Sequence, residues 1–233
     1  MKRLYLLRHG QTEFNVKKLV QGRCDSPLTD LGRKQAGRAA AWLKAHDVVP
    51  DKVVSSPLGR AMDTAQLVAC ELLGPDAAVE SCEGIIERCY GSFEEGPHDA
   101  LPTDVWDPGE DLVPFGGEGS KALQERMVAT LTNIMGSEGI ETLLAVSHGS
   151  ASRQFIKAAA PEGCLLYTSP CCIYRCRSRA VPVAHSCYGK YDGGALSGRP
   201  AGSIGGAGQP GESCRALGRH AACSAGSRHR HVY

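Results

Sequence analysis

Two histidines and two arginines stand where they could handle a phosphoryl group. Arg8 and His9 follow the apolar run Leu4-Tyr5-Leu6-Leu7, and His148 follows Leu143-Leu144-Ala145-Val146-Ser147. Arg60 comes shortly after Lys52-Val53-Val54-Ser55 and Ser56-Pro57. An arginine offers a planar fork of N–H donors that matches two phosphate oxygens. Cationic neighbours lower the pKa of an imidazole, which keeps it neutral and nucleophilic near neutral pH. Such a set could stabilise the negative charge of a phosphoryl transition state without a metal. It still needs a carboxyl to protonate the departing oxygen. No cofactor and no metal are expected. Arg-His-Gly by itself is only a three-residue match, and a solvated loop is the better reading of it.

The elements that would position these residues can be read from periodicity. Residues 3–7 form a short apolar run that predicts a buried strand. Thr29 can cap a helix in which Ala36, Ala39, Ala40 and Leu43 recur on one face. Residues 52–55 predict a second strand. A helix is expected from Ser56-Pro57, with Ala61, Ala65, Val68, Ala69 and Leu72 on one side and Gly74-Pro75 as its stop. Residues 77–80 predict a third strand, 120–135 a helix, 142–146 a fourth strand and 150–159 a last helix. Residues 88–119, rich in Gly, Pro and acid, read as a long loop or lid. Strands alternating with helices give a three-layer α/β/α fold with a largely parallel central sheet. Ligands in such sheets bind beyond the C-terminal ends of the strands. Arg8-His9, Ser55-Ser56 with Arg60, and Ser147-His148 all fall there.

The longer pattern resembles a known family. Leu6-Leu7-Arg8-His9-Gly10-Gln11-Thr12-Glu13-Phe14-Asn15 is similar to the signature of the histidine phosphatase superfamily, which includes cofactor-dependent phosphoglycerate mutases. The similarity continues through Gln21-Gly22, Asp25-Ser26-Pro27-Leu28-Thr29 and Gly32. It resumes at Ser55-Ser56-Pro57-Leu58-Gly59-Arg60-Ala61, at Glu87-Arg88-Cys89-Tyr90-Gly91-Ser92-Phe93-Glu94 and at Val146-Ser147-His148-Gly149. The resemblance implies that His9 is the nucleophile, transiently phosphorylated, and that Glu87 donates and then accepts the proton. Arg8, Asn15, Arg60 and His148 would hold the phosphoryl group, and Gln21 and Gly22 would contact the substrate. Glu83, Glu94 and Glu95 are acidic rivals of Glu87. His46 and His98 match nothing and are expected to be solvated. The 61 positions from Glu87 to His148 are fewer than in the family's glycolytic mutases. This favours a phosphomonoester hydrolase acting on a small phosphorylated metabolite. Mutase-type phosphoryl transfer, or an inactive phospho-ligand binder, are the alternatives.

Charge divides the 233-residue chain. The formal total is +1, but residues 1–169 hold 17 Lys+Arg against 23 Asp+Glu, and residues 170–233 hold 9 against 2. Only seven of those last residues are Ile, Leu, Val or Phe, too few for a packed core, so no regular structure is expected there. The reading is therefore a phosphatase domain over 1–163, truncated before its final strands, and a basic Cys/Gly/Arg-rich tail over 164–233. Cys164-Leu165-Leu166-Tyr167-Thr168-Ser169 looks like a translated transposon-end sequencing adapter, which predicts a chimeric tail. Cys171, Cys172, Cys176, His185 and Cys187 lack the paired spacing of a zinc site. The tail's scattered charge predicts no nucleic-acid site. No stretch reaches membrane-spanning length, and the N-terminal apolar run is too short for a secretory leader. The expected location is the cytoplasm, with reduced thiols.

Overall fold

The computed structural model describes residues 2–105 and 107–159, together with the backbone of 173–177. Five strands form one sheet in the order β3-β2-β4-β1-β5. They are β1 (Arg3–Arg8), β2 (Lys52–Ser55), β3 (Glu80–Ser81), β4 (Thr142–Ser147) and β5 (Ile173–Arg177). The β1–β4, β2–β4 and β2–β3 pairs are parallel, and β5 runs antiparallel along β1. Among the described residues no helix is long and apolar enough to cross a membrane.

The strands sort their side chains by alternation, as a sheet buried on both faces requires. Leu4, Leu6, Val54, Leu143 and Ala145 enter one core with α4 (Ser120–Gly136) and α5 (Gly149–Ala159), through Leu123, Met127, Leu131 and Phe155. Tyr5, Leu7, Val53, Leu144 and Val146 enter the other, with α2 (Asp30–Ala45) and α3 (Gly59–Leu73). The alanines of α2 and α3 let these two helices lie close to each other and to the sheet. A small third cluster, Val20, Tyr90, Leu101 and Leu112, sits under the segment that connects to α4.

Local chemistry sets the element boundaries. Thr29 caps α2, accepting from Gly32 N at 3.0 Å. The residue after α3, Gly74, has φ +102°, a conformation that ends the helix without the strain a side chain would bring. A short α1 (Glu13–Lys17) follows β1, closed by a capping box in which Thr12 and Asn15 bond reciprocally. Periodicity over five residues cannot reveal such a helix.

Three expectations change. The strand expected at 77–80 is reduced to Glu80–Ser81, because β2 pairs there only through Val54 and Ser55. The helix expected from Ser56-Pro57 begins at Gly59. Composition predicts no regular structure over 170–233, yet 173–177 pairs with β1 from Arg3 to Leu7. The free edge of β1 presents unpaired backbone groups, and main-chain pairing can satisfy them whatever the composition of the added strand. The backbone of Cys176 lies in β5; the remainder of 164–233, including Cys171, Cys172, His185 and Cys187, lies outside the described residues.

Candidate active site

The parallel register brings three strand ends level. Arg8 pairs with Ser147, and Ser55 with Val146. The residues just beyond them therefore converge on one edge. The loop after β1 lies directly on the start of α2. A Cβ on Gly10 would strike the carbonyl of Gly32, and one on Gly32 would strike that of Gln11. Two glycines thus fix where His9 sits. Gly10 N also donates to Thr64 Oγ1 of α3 at 3.2 Å.

His9 is almost completely buried. Its Nδ1 lies 2.7 Å from Gly10 O. A carbonyl only accepts, so Nδ1 carries the proton and the lone pair is on Nε2. Arg60 Nε points at that nitrogen from 3.3 Å. Burial first, then the charges of Arg60 and Arg8, hold the His9 pKa well below its ordinary value, partly opposed by the bond to Gly10. The ring is therefore a neutral imidazole whose Nε2 lone pair, which here accepts from Arg60 Nε, is the one that could turn to attack phosphorus.

Arg60 is fully buried on the first turn of α3. Its Nη1 donates to Cys24 O at 2.7 Å and to Asp25 Oδ1 at 3.0 Å, and its Nη2 donates to Gly22 O at 2.7 Å. Asp25 also accepts from Gly59 N at 2.5 Å, and so caps a helix that has no side-chain cap of its own. The loop 22–25 and the helix start thus orient the guanidinium together. Gly22 has φ +55°, and a side chain there would collide with the Glu94 carboxylate.

His148 lies against His9, with ring centroids 5.1 Å apart in an edge arrangement. Its Nε2 is 2.7 Å from Ser56 Oγ, and its Nδ1 is buried without a hydrogen-bond partner. Burial first, then Arg60, His9, Arg8 and Arg126, keep its pKa well below the usual value. A buried polar atom without a partner costs stability. An oxygen of a bound phosphoryl group would satisfy Nδ1 if Ser56 donates to Nε2, leaving the ring proton on Nδ1.

Glu87 is buried, and both its oxygens are held by main-chain donors. Oε1 accepts from Arg88 N and Ala151 N, each at 2.8 Å, and Oε2 accepts from Ser150 N at 3.2 Å. The last two are amides of the first turn of α5, a natural seat for a carboxyl. Arg8, His9, Asn15, Gln21, Gly22, Arg60 and Glu87 line one cavity, and His148, packed against His9, is not itself part of that lining. Asn15 Oδ1 is engaged by Thr12 N, so its amide nitrogen is the end suited to a phosphoryl oxygen. Gln21 has a buried Oε1 without a hydrogen-bond partner. Among the rivals of Glu87, Glu83 is exposed, and Glu94 accepts from the amides of Arg23, Cys24 and Tyr90. Both lie outside the cavity lining.

His98 corrects the sequence reading. It is half-buried in the cavity wall rather than solvated, with Nε2 3.0 Å from Leu19 O. Its segment pairs with 18–19 through His98 N to Lys18 O, a contact with no local pattern to announce it. His46 is exposed, as expected, stacked on Trp42. Asp25, Ser56, Arg88 and Tyr90 lie inside the sequence motifs with no role assigned there; Asp25 holds Arg60, Ser56 bonds His148, Arg88 bonds Ser150, and Tyr90 stands in the cavity wall. Among the described residues no group of three His, Cys, Asp or Glu side chains could hold a metal ion.

The arrangement is that of an α/β domain with a cationic, histidine-bearing pocket at the C-terminal edge of its sheet. The chain belongs to the histidine phosphatase superfamily, branch 1, whose profile matches residues 4–170. It is 32% identical over 158 residues to a broad-specificity phosphatase of Saccharomyces cerevisiae, covering 66% of this chain and 69% of that one. It is also 32% identical over 172 residues to a probable phosphoglycerate mutase, GpmB, of Proteus mirabilis, covering 72% and 74%. Among solved structures, it resembles Entamoeba histolytica phosphoserine phosphatase in complex with 3-phosphoglyceric acid. There the TM-score is 0.64 and the identity 27%, with 82% of this chain and 98% of that one covered. Phosphatases and mutases thus both appear among its relatives.

Proposed function

We propose that this chain is a metal-independent phosphomonoester hydrolase that works through a phosphohistidine at His9. The observation that carries the reading is the state of His9: neutral, its Nδ1 proton fixed on Gly10 O, its Nε2 turned to Arg60 in the cavity that also takes Glu87. Nε2 attacks phosphorus while Arg8, Arg60, Asn15 and His148 hold the phosphoryl oxygens. The bond from phosphorus to the leaving oxygen breaks, and Glu87 gives that oxygen a proton. Water then attacks phospho-His9, Glu87 takes its proton, and inorganic phosphate leaves with the imidazole restored.

Hydrolase is favoured over mutase by the rest of the cavity lining, which holds Leu19, Val20, Tyr90, Val105 and His98. Such a lining suits an uncharged organic group better than the carboxylate of a phosphoglycerate. The substrate class is a small phosphorylated metabolite. The mutase relatives motivate the second reading. Release of inorganic phosphate from p-nitrophenyl phosphate in the presence of a chelator, abolished in His9→Ala, is the expected result. Interconversion of phosphoglycerates primed by 2,3-bisphosphoglycerate, without phosphate release, would overturn it.

A further inference from the structure

Glu87 sits in a stretch, 86–90, that belongs to no helix or strand. No backbone ladder fixes its direction, so hydrogen bonds from other segments must. Its carboxyl is held by three amides, as described. Its own carbonyl is gripped from behind by Arg126 of α4, whose Nη2 donates to Glu87 O at 3.2 Å. Arg23 Nε reaches the same oxygen only at 3.5 Å.

Arg126 is itself locked. Its Nε and Nη2 meet the two oxygens of Glu118 at 2.6 and 2.8 Å, a fork-to-fork pair, and its Nη1 donates to Gly84 O at 3.1 Å. Glu118 is only 12% exposed. Its backbone N donates to Cys89 O at 2.8 Å, and its carbonyl accepts from Arg88 Nη1 at 2.9 Å. The fully buried Arg88 closes the ring by donating from Nε to Ser150 Oγ at 2.9 Å, and the amide of Ser150 is one of the three that hold the carboxyl. Residues on both sides of Glu87, at 84 and 89, are thus bonded to the Arg126–Glu118 pair.

We propose that Arg126, through its bidentate pair with Glu118, is a positioning residue for Glu87 and sets the aim of that carboxyl at the leaving-group oxygen. The inference rests on the reading of Glu87 as the proton donor. Misplacing a reacting group by about 1 Å can cost on the order of 100-fold in rate. Here the loss must fall on proton donation and leave phosphoryl binding intact.

Leaving-group dependence separates the two. A nitrophenolate departs with little help, whereas an alkoxide needs its proton. The experiment measures kcat/KM, which reports the phosphorylation step, for p-nitrophenyl, phenyl and alkyl phosphates. It compares the wild-type full chain with Arg126→Met, Arg126→Lys, Glu87→Gln and the Arg126→Met/Glu87→Gln double variant. Arg126→Met is expected to lose about 10- to 100-fold on the alkyl ester and less than about 3-fold on the nitrophenyl ester. Arg126→Lys keeps the charge but not the fork, and should show the same selective loss in smaller degree. If Arg126→Met does not fold, Arg126→Lys carries the comparison. The double variant should be no worse than Glu87→Gln. Equal loss on all three esters, a wild-type Arg126→Lys, or additive effects would overturn the proposal. A Glu87→Gln variant without leaving-group selectivity would instead remove the reading of Glu87 as acid, and this inference with it.

Discussion

Acidification should weaken this fold through the two histidines that form its site. In an unfolded chain each takes up a proton near pH 6.5. In the fold both are buried, and burial together with Arg60 and Arg8 keeps them neutral well below that value. Below pH 6.5 the unfolded state therefore binds more protons than the folded one, and stability falls as pH falls. While a ring stays neutral in the fold, it costs about 1.4 kcal/mol for each pH unit below its unfolded pKa. Going from about pH 7.5 to about pH 5.5 then removes on the order of 3 kcal/mol from the pair, against a typical total of about 5–15 kcal/mol. The assay is a series of urea unfolding midpoints at constant ionic strength, for the wild type and for His148→Gln. Groups common to both cancel, so the variant should lose about half of that histidine-derived pH dependence over the interval. Identical pH slopes would show that His148 titrates normally in the fold and would refute the electrostatic reasoning.

Asp25→Ala removes the cap of α3 and one anchor of Arg60. We expect a loss of about 1–2 kcal/mol in urea unfolding and a fall in kcat/KM of about 10-fold from a loosened Arg60. Gly32→Ala drives a methyl into the Gln11 carbonyl. It should cost about 1–3 kcal/mol, read from the thermal midpoint, and lower activity because the displaced loop carries His9. Ser56→Ala leaves both nitrogens of His148 without a partner. A loss of about 1–3 kcal/mol is expected, recovered in part when phosphate is added, since a ligand that binds only the folded state stabilises it.

The sheet and its flanking helices were legible in the sequence because their signals are local. Alternation in residues 4–7 and 143–146 assigns each side chain to one of two cores, and the alanine spacing of α2 and α3 marks the packed faces. Strand ends marked by Arg8-His9, Ser55 and Ser147-His148 announce the edge on which the candidate site gathers. What stayed hidden depends on contacts distant in sequence. His98 reaches the cavity wall only because its segment pairs with Lys18 and Leu19. Asp25 caps a helix 34 residues away, and Arg126 meets a carbonyl 39 residues before it. The strand at 173–177 pairs with the edge of β1, a contact far away in sequence that the composition of the segment 170–233 does not announce. Glu87 differs from Glu83 and Glu94 in a carboxyl seated on the amides of Ser150 and Ala151, 63 and 64 residues further along the chain, which no local pattern announces.

The central claim is that His9 Nε2 becomes covalently phosphorylated. Rapid acid-free quenching of the full chain with a phosphomonoester in excess, followed by peptide mass spectrometry, tests it directly. The account predicts an acid-labile, base-stable phosphoryl group on the peptide that carries His9, formed during turnover and absent in His9→Ala. A phosphoryl group on another residue, or undiminished turnover by His9→Ala, would contradict it.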